Sequence, residues 1–136
     1  RSGVSERCTS ITGLTEADLK AGGRPFADVW RGLAKRWPLR SRPLFAWGDD
    51  GRDLAAQVRQ DIGLETLVPE VHDLATFYNV IAQARPGDPP GSGAGQGVDT
   101  ALAAYGLAFE GRRHRAGADA MNTGRVLLEI ARRAAV

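Results

Sequence analysis

The sequence predicts a mostly helical chain with one short strand. Two observations carry this. Apolar residues recur at helical spacing, behind capping residues, over most of the chain. A single apolar run of strand length is bounded by proline and glycine. A lone strand leaves backbone hydrogen bonds unpartnered. The chain is therefore either nearly all helical or part of an α/β sheet whose other strands lie outside it.

The elements follow in order. Thr15-Glu16-Ala17-Asp18 reads as an N-cap with an acid three residues on, and Gly22-Gly23 stops the short helix behind it. Pro25 suits a first turn. Phe26, Val29, Trp30, Leu33 and Trp37 then recur at helical spacing until Pro38. Pro43-Leu44-Phe45-Ala46-Trp47 is the strand, and Gly48-Asp49-Asp50-Gly51 its turn. Helical pattern resumes with Leu54, Val58 and Ile62. Asp73 is placed to cap a further helix whose apolar positions are Leu74, Phe77, Tyr78 and Ile81. Residues 85–97, rich in Gly and Pro, sustain neither period and read as a flexible loop. Asp99 is expected to cap a helix ending at Gly106. The last helix should start near Ala118 and bury Ala120, Leu127, Ile130, Ala131 and Ala134.

Composition bounds the function. The 136 residues suffice for one domain, with 43% apolar and 25% charged residues, an ordinary globular balance. No apolar run approaches the roughly 18 residues that cross a membrane, and the first residues carry no signal-peptide core. The single cysteine, Cys8, excludes an intramolecular disulfide and fits a cytoplasmic location. A net charge of +2 is too weak to imply nucleic acid. Sixteen Arg against two Lys, with abundant Ala and Gly, fits a GC-rich genome. The Gly-rich run lacks the Lys and Ser/Thr of a phosphate loop of the Walker type, and no Cys/His cluster suggests zinc.

Chemistry concentrates in His114-Arg115-Ala116-Gly117-Ala118-Asp119-Ala120-Met121-Asn122. Asp119 falls in the first turn of the last helix, where the helix dipole favours a carboxylate. His114 stands on the loop before it, free to approach the same point. Histidine can accept a proton at neutral pH, and aspartate holds hard divalent cations. Together they are equipment for metal-assisted hydrolysis of a phosphodiester.

The pattern His-x-Ala-x-x-Asp-Ala-x-Asn before an amphipathic helix resembles motif III of the DEDDh-type 3′–5′ exonucleases of the ribonuclease H-like superfamily. Residues 101–111 are similar to that family's link into motif III. Upstream, Cys8-Thr9-Ser10-Ile11-Thr12-Gly13-Leu14-Thr15, Ala21-Gly22-Gly23-Arg24-Pro25-Phe26 and Trp47-Gly48-Asp49 resemble, in order, the histone-mRNA and RNA-interference-enhancing branch and its bacterial relatives. The resemblance covers most of residues 5–133.

It implies an α/β fold whose first strands are absent from this chain, leaving a mostly helical remainder. Residues 1–136 would be the C-terminal portion of one exonuclease domain, exposing apolar surface that faces the sheet. It implies His114 as general base, Asp119 as a metal ligand, two Mg²⁺ or Mn²⁺ ions, and release of nucleoside 5′-monophosphates from single-stranded RNA or DNA. Arg112, Arg113 and Arg115 are placed to bind substrate phosphates, or to form a solvated loop.

Two departures stand out. Motif II of the branch reads Trp-Gly-Asp-aromatic-Asp, whereas here Trp47-Gly48-Asp49-Asp50-Gly51 stands. Without a gap, Gly51 takes the ligand position; with the aromatic deleted, Asp50 is the ligand, which is the preferred reading. Motif I, Asp-x-Glu, should precede residue 1. Its loss would mark the rival function, a catalytically inactive relative that binds nucleic acid or a protein partner. A small helical interaction domain is the third reading. His72 is expected at the surface, Trp30 and Trp37 together in the core, and Trp47 in packing.

Overall fold

In the computed structural model, residues 3–39, 41–63, 70–84 and 97–134 are described. The order is α1 (Glu6–Thr12), α2 (Glu16–Gly22), α3 (Phe26–Arg36), β1 (Leu44–Ala46), α4 (Asp50–Ile62), β2 (Val71–Asp73), α5 (Leu74–Ala84), α6 (Val98–Ala104) and α7 (Ala116–Ala134). The expected loop over 85–97 lies outside the described residues except for Gly97, the N-cap of α6.

The described residues are mostly helical, with a two-stranded parallel sheet. The lone strand is thereby corrected. β2 pairs with β1 in the register Leu44 to Val71, Phe45 to His72 and Ala46 to Asp73, and α4 lies in the crossover between them. A three-residue strand shows no period of its own and declares itself only through its partner.

Local chemistry explains the ends. Thr15 and Asp18 form a reciprocal capping box on α2. α3 follows Pro25 and stops at Trp37, before Pro38. Gly63 ends α4 in the left-handed conformation, with φ of 72°. Asp73 caps α5 as expected: its Oδ1 accepts from Ala75 N and its Oδ2 from the Thr76 hydroxyl. Asp99 does not cap α6, because it already lies inside the helix, two residues past the N-cap Gly97. α1, unforeseen, is held by Ser5, whose hydroxyl accepts from Cys8 N, and buries no residue.

The core sits between α5, α6 and α7. Leu74, Tyr78, Ala101, Leu102, Val126 and Ile130 form it, with Phe45 and Trp47 packed against it from the sheet end. Each large aliphatic side chain buried there contributes about 1.5–3 kcal/mol. α7 is rotated from the expected stripe. Asn122, Thr123, Val126 and Ile130 are buried, while Ala120, Ala131 and Ala134 are exposed. Polar Asn122 faces inward because Glu110, in the loop before α7, supplies partners for its amide, so apolarity alone misjudges the face.

α3 packs on α4, with Trp30 and Val58 buried. The paired tryptophans part company here: Trp30 is 5% exposed and Trp37 55%. Val29, Leu33 and Trp37 form a stripe that no described element covers completely. No helix among the described residues is long and apolar enough to cross a membrane.

Candidate active site

Five elements converge on one cavity of about 880 Å³, the end of α1 contributing Ile11 and Thr12. β1 supplies Leu44, Phe45 and Ala46, and Trp47 follows directly. The first turn of α4 supplies Asp50, the start of α6 Val98 and Asp99, and the loop into α7 Arg113 and His114. α7 adds Asp119, Ala120, Thr123, Gly124 and Leu127. Residues far apart in sequence, Asp50 and the pair His114 and Asp119, thus share one wall-to-wall space. A second cavity, of about 940 Å³ between the start of α3 and α4, also has Asp50 on its lining.

The geometry separates Asp49, Asp50 and Gly51. A Cβ at Gly51 would stand 2.7 Å from Val71 Cβ and 3.0 Å from its Cγ1. Position 51 is therefore turned into β2, where only hydrogen fits beside the strand. Asp50 lines the cavity instead. Asp49 stays outside as the N-cap residue of α4, exposed and ion-paired with Arg52. Of the two adjacent aspartates it is Asp50 that lines the cavity, and the glycine after it is a packing requirement.

The loop carrying His114 is tied to α7. His114 adopts the left-handed region, φ 60°, which costs a residue with a Cβ about 1 kcal/mol or more. Its backbone N–H donates to Asp119 Oδ1 at 3.3 Å. The Asp119 side chain thus reaches back from the first turn to the histidine's own backbone, leaving Oδ2 without a described partner. Gly111, φ 86°, brings the loop within 3.1 Å of Ala118 Cβ for any added side chain.

Behind it lies Asn122, fully buried. Asn122 Nδ2 donates to Glu110 O and to Ala118 O, both at 2.8 Å, and Oδ1 accepts from Glu110 N at 3.1 Å. Arg125 Nη1 donates to Asn122 Oδ1 at 2.9 Å and to Ala108 O at 2.8 Å, and Nη2 pairs with Glu110 at 3.1 Å. Every polar atom of the Asn122 side chain is satisfied, as burial demands. Sequence reasoning quoted Asn122 without assigning it a role. Its signal was a polar residue on the buried face of an amphipathic helix.

The three arginines separate. Arg113 lines the cavity, pairs with Asp99 and lies with its guanidinium 5.1 Å from the Phe109 ring centroid. Arg112 and Arg115 do not line it. Arg112 rests on the end of α1, where a Cβ at Gly13 would meet its Nη2 at 2.3 Å. Arg115 faces α2: side-chain and backbone hydrogen bonds with Thr15 hold Asp18 below the usual carboxylate range, and the charge of Arg115 adds to this. Arg112 thus bridges the loop before α7 to the end of α1, and Arg115 acts on α2 only through its charge.

Asp73 closes the sheet end of the site. Besides capping α5, its Oδ1 accepts from Gly48 N at 2.9 Å, pinning the turn between β1 and α4. Burial pushes its carboxyl up, but hydrogen bonds from Thr76, Gly48 and Ala75 outweigh this and hold it below the usual range. His72 is half-exposed, 5.4 Å from the Phe45 ring, and does not reach the cavity. Trp47 packs on Tyr78 at 6.0 Å while also lining the cavity.

Asp50 and Asp119 are hard oxygen donors. Mg²⁺ takes one or two protein carboxylates, keeping waters or substrate phosphates for the rest of its shell. Among the described residues no three His, Cys, Asp or Glu side chains group closely enough to form a fuller cage. No family model, curated protein or solved structure matches this chain, so the functional argument stands on these residues and their geometry.

Proposed function

We propose that this chain is part of a ribonuclease H-like, metal-dependent 3′–5′ exonuclease domain acting on single-stranded RNA or DNA. The observation that carries the reading is the meeting of Asp50, His114, Asp119 and Arg113 in one cavity. Asp50 and Asp119 would hold Mg²⁺ or Mn²⁺, which when bound supplies charge stabilisation and an activated water. His114, on an exposed loop of fixed backbone, accepts the proton of the attacking water. Arg113 presents a guanidinium to a phosphate once it exchanges out of its exposed pair with Asp99, a pair worth at most about 1 kcal/mol. The apolar wall of Phe45, Trp47, Val98 and Leu127 receives a base or sugar.

The test is degradation of 5′-labelled single-stranded RNA and DNA with Mg²⁺ or Mn²⁺. A stepwise ladder from the 3′ end, abolished by EDTA and lowered on the order of 10²–10⁴-fold by His114→Ala, is expected. A chain that binds these strands without cutting them is an inactive binding module instead.

A further inference from the structure

The basic residues of the chain are not spread evenly. From Val29 to Arg42 the sequence holds no Asp or Glu, yet Lys35, Arg36 and Arg42 stand there. Arg31 is neutralised by Asp28 at 2.9 Å. Among the described residues no carboxylate pairs with the other three. They flank Trp37, whose ring is 55% exposed and has the Arg36 guanidinium 5.8 Å from its centroid. The indole is carried on a held backbone. Trp37 N–H donates to Leu33 O at 2.9 Å, and Trp37 O accepts from Leu39 N at 2.8 Å. Pro38 fixes the turn between them and accepts at its carbonyl from Ser41 N at 3.1 Å.

An exposed indole on held backbone, with one guanidinium near its ring and further unpaired cations close in sequence, matches single-stranded nucleic acid in both its parts. A base stacks on the ring, and phosphates meet the cations. We infer that Trp37, Lys35, Arg36 and Arg42 form a track for single-stranded nucleic acid, lying upstream of the end engaged in the cavity. The inference rests on the proposed exonuclease reading for its direction. Arg42 adjoins Pro43, which lines the cavity, and Trp37 is six residues of chain away, at most about 20 Å. A strand whose end lies between His114 and Asp50 meets Arg42 first and Trp37 a few nucleotides later. An anionic membrane is the competing partner, since Val29 and Leu33 are partly exposed on the same helix, but the cations gather in the last turn of α3 and just after it instead of running along the length of that face.

The experiment uses the full chain and short 5′-fluorescein single-stranded oligonucleotides, with anisotropy read in EDTA so that binding is separated from cleavage. Trp37→Ala should weaken binding about fivefold to a hundredfold, and Trp37→Phe should restore most of it. Lys35→Ala, Arg36→Ala and Arg42→Ala together should lower the slope of log affinity against log salt by about 2, at roughly 0.7 per phosphate contact. These side chains are exposed, and circular dichroism checks that each variant folds. Unchanged affinity and slope overturn the track, as does Trp37-dependent binding to phosphatidylserine vesicles without binding to oligonucleotide. Trp37-dependent binding with no metal-dependent cleavage sinks the exonuclease and leaves the track. Cleavage whose KM ignores Trp37→Ala sinks the track and leaves the exonuclease.

Discussion

Replacing Asn122 by alanine should unfasten the site from its scaffold, and the cost can be worked out. The amide makes two hydrogen bonds to the Glu110 backbone, at 2.8 and 3.1 Å, one to Ala118 O, and accepts one from Arg125. Ala118 O lies within α7 and Arg125 keeps Ala108 O, so those two ends lose little. The two Glu110 bonds are the real loss, at about 1 kcal/mol each. The vacated space, enclosed on all sides, adds on the order of 1 kcal/mol. The sum is about 3 kcal/mol, a large part of the roughly 5–15 kcal/mol that holds a domain together. With a urea dependence of about 2 kcal/mol per molar, the unfolding midpoint should fall by about 1.5 M. Hydrogen exchange should quicken first at the Glu110 amide. A midpoint within about 0.3 M of the parent would refute the reasoning, since the loop would then be held by something other than this amide.

Three further outcomes are expected. Gly51→Ala should lower the melting temperature, because the approach of Val71 costs about 1–3 kcal/mol and outweighs the roughly 1 kcal/mol gain in helix propensity; a rise would refute the close packing. Asp73→Ala should cost about 1–2 kcal/mol at pH 7 as a lost cap and turn clamp. Since the folded carboxyl is held below its unfolded value near 3.9, that stabilisation is full above this pH and fades as pH falls through the folded value. Urea midpoints of the parent and of Asp73→Ala should therefore converge in strong acid, and a constant gap would exclude the charge. Asp50→Asn should reduce metal-dependent cleavage on the order of a hundredfold or more, while Asp49→Asn, on the exposed partner of Arg52, should leave kcat/KM within about twofold.

What could be read from the residues was local. The Thr15 box, the Pro-bounded α3, the strand at 44–46 and the Asp73 cap all follow from side chains acting on their own neighbours. Non-local features were hidden. β2 exists because β1 lies beside it. Asn122 is buried because Glu110, twelve residues back, offers a donor and an acceptor. The orientation of position 51 depends on Val71, twenty residues on, so residues 47–51 alone do not show which of them faces the cavity. Trp37 was placed in the core by its spacing from Trp30. A period of seven residues leaves two side chains on roughly one face, but the second is the C-cap residue, after the last turn of the helix, and its side chain stays largely exposed. Asp99 was read as a cap; its role came from Arg113, fourteen residues away.

The three tryptophans sit in three environments, with Trp30 buried against α4, Trp47 on the cavity wall and Trp37 largely in water. That spread makes the unlabelled chain its own spectroscopic map. Emission from Trp37 should be red-shifted and quenched by iodide or acrylamide at low concentration, and Trp30 should resist both. Trp47 should change its yield when the cavity fills. Two single Trp→Phe variants would assign each signal, turning one cuvette into separate gauges of folding, cavity occupancy and surface contact.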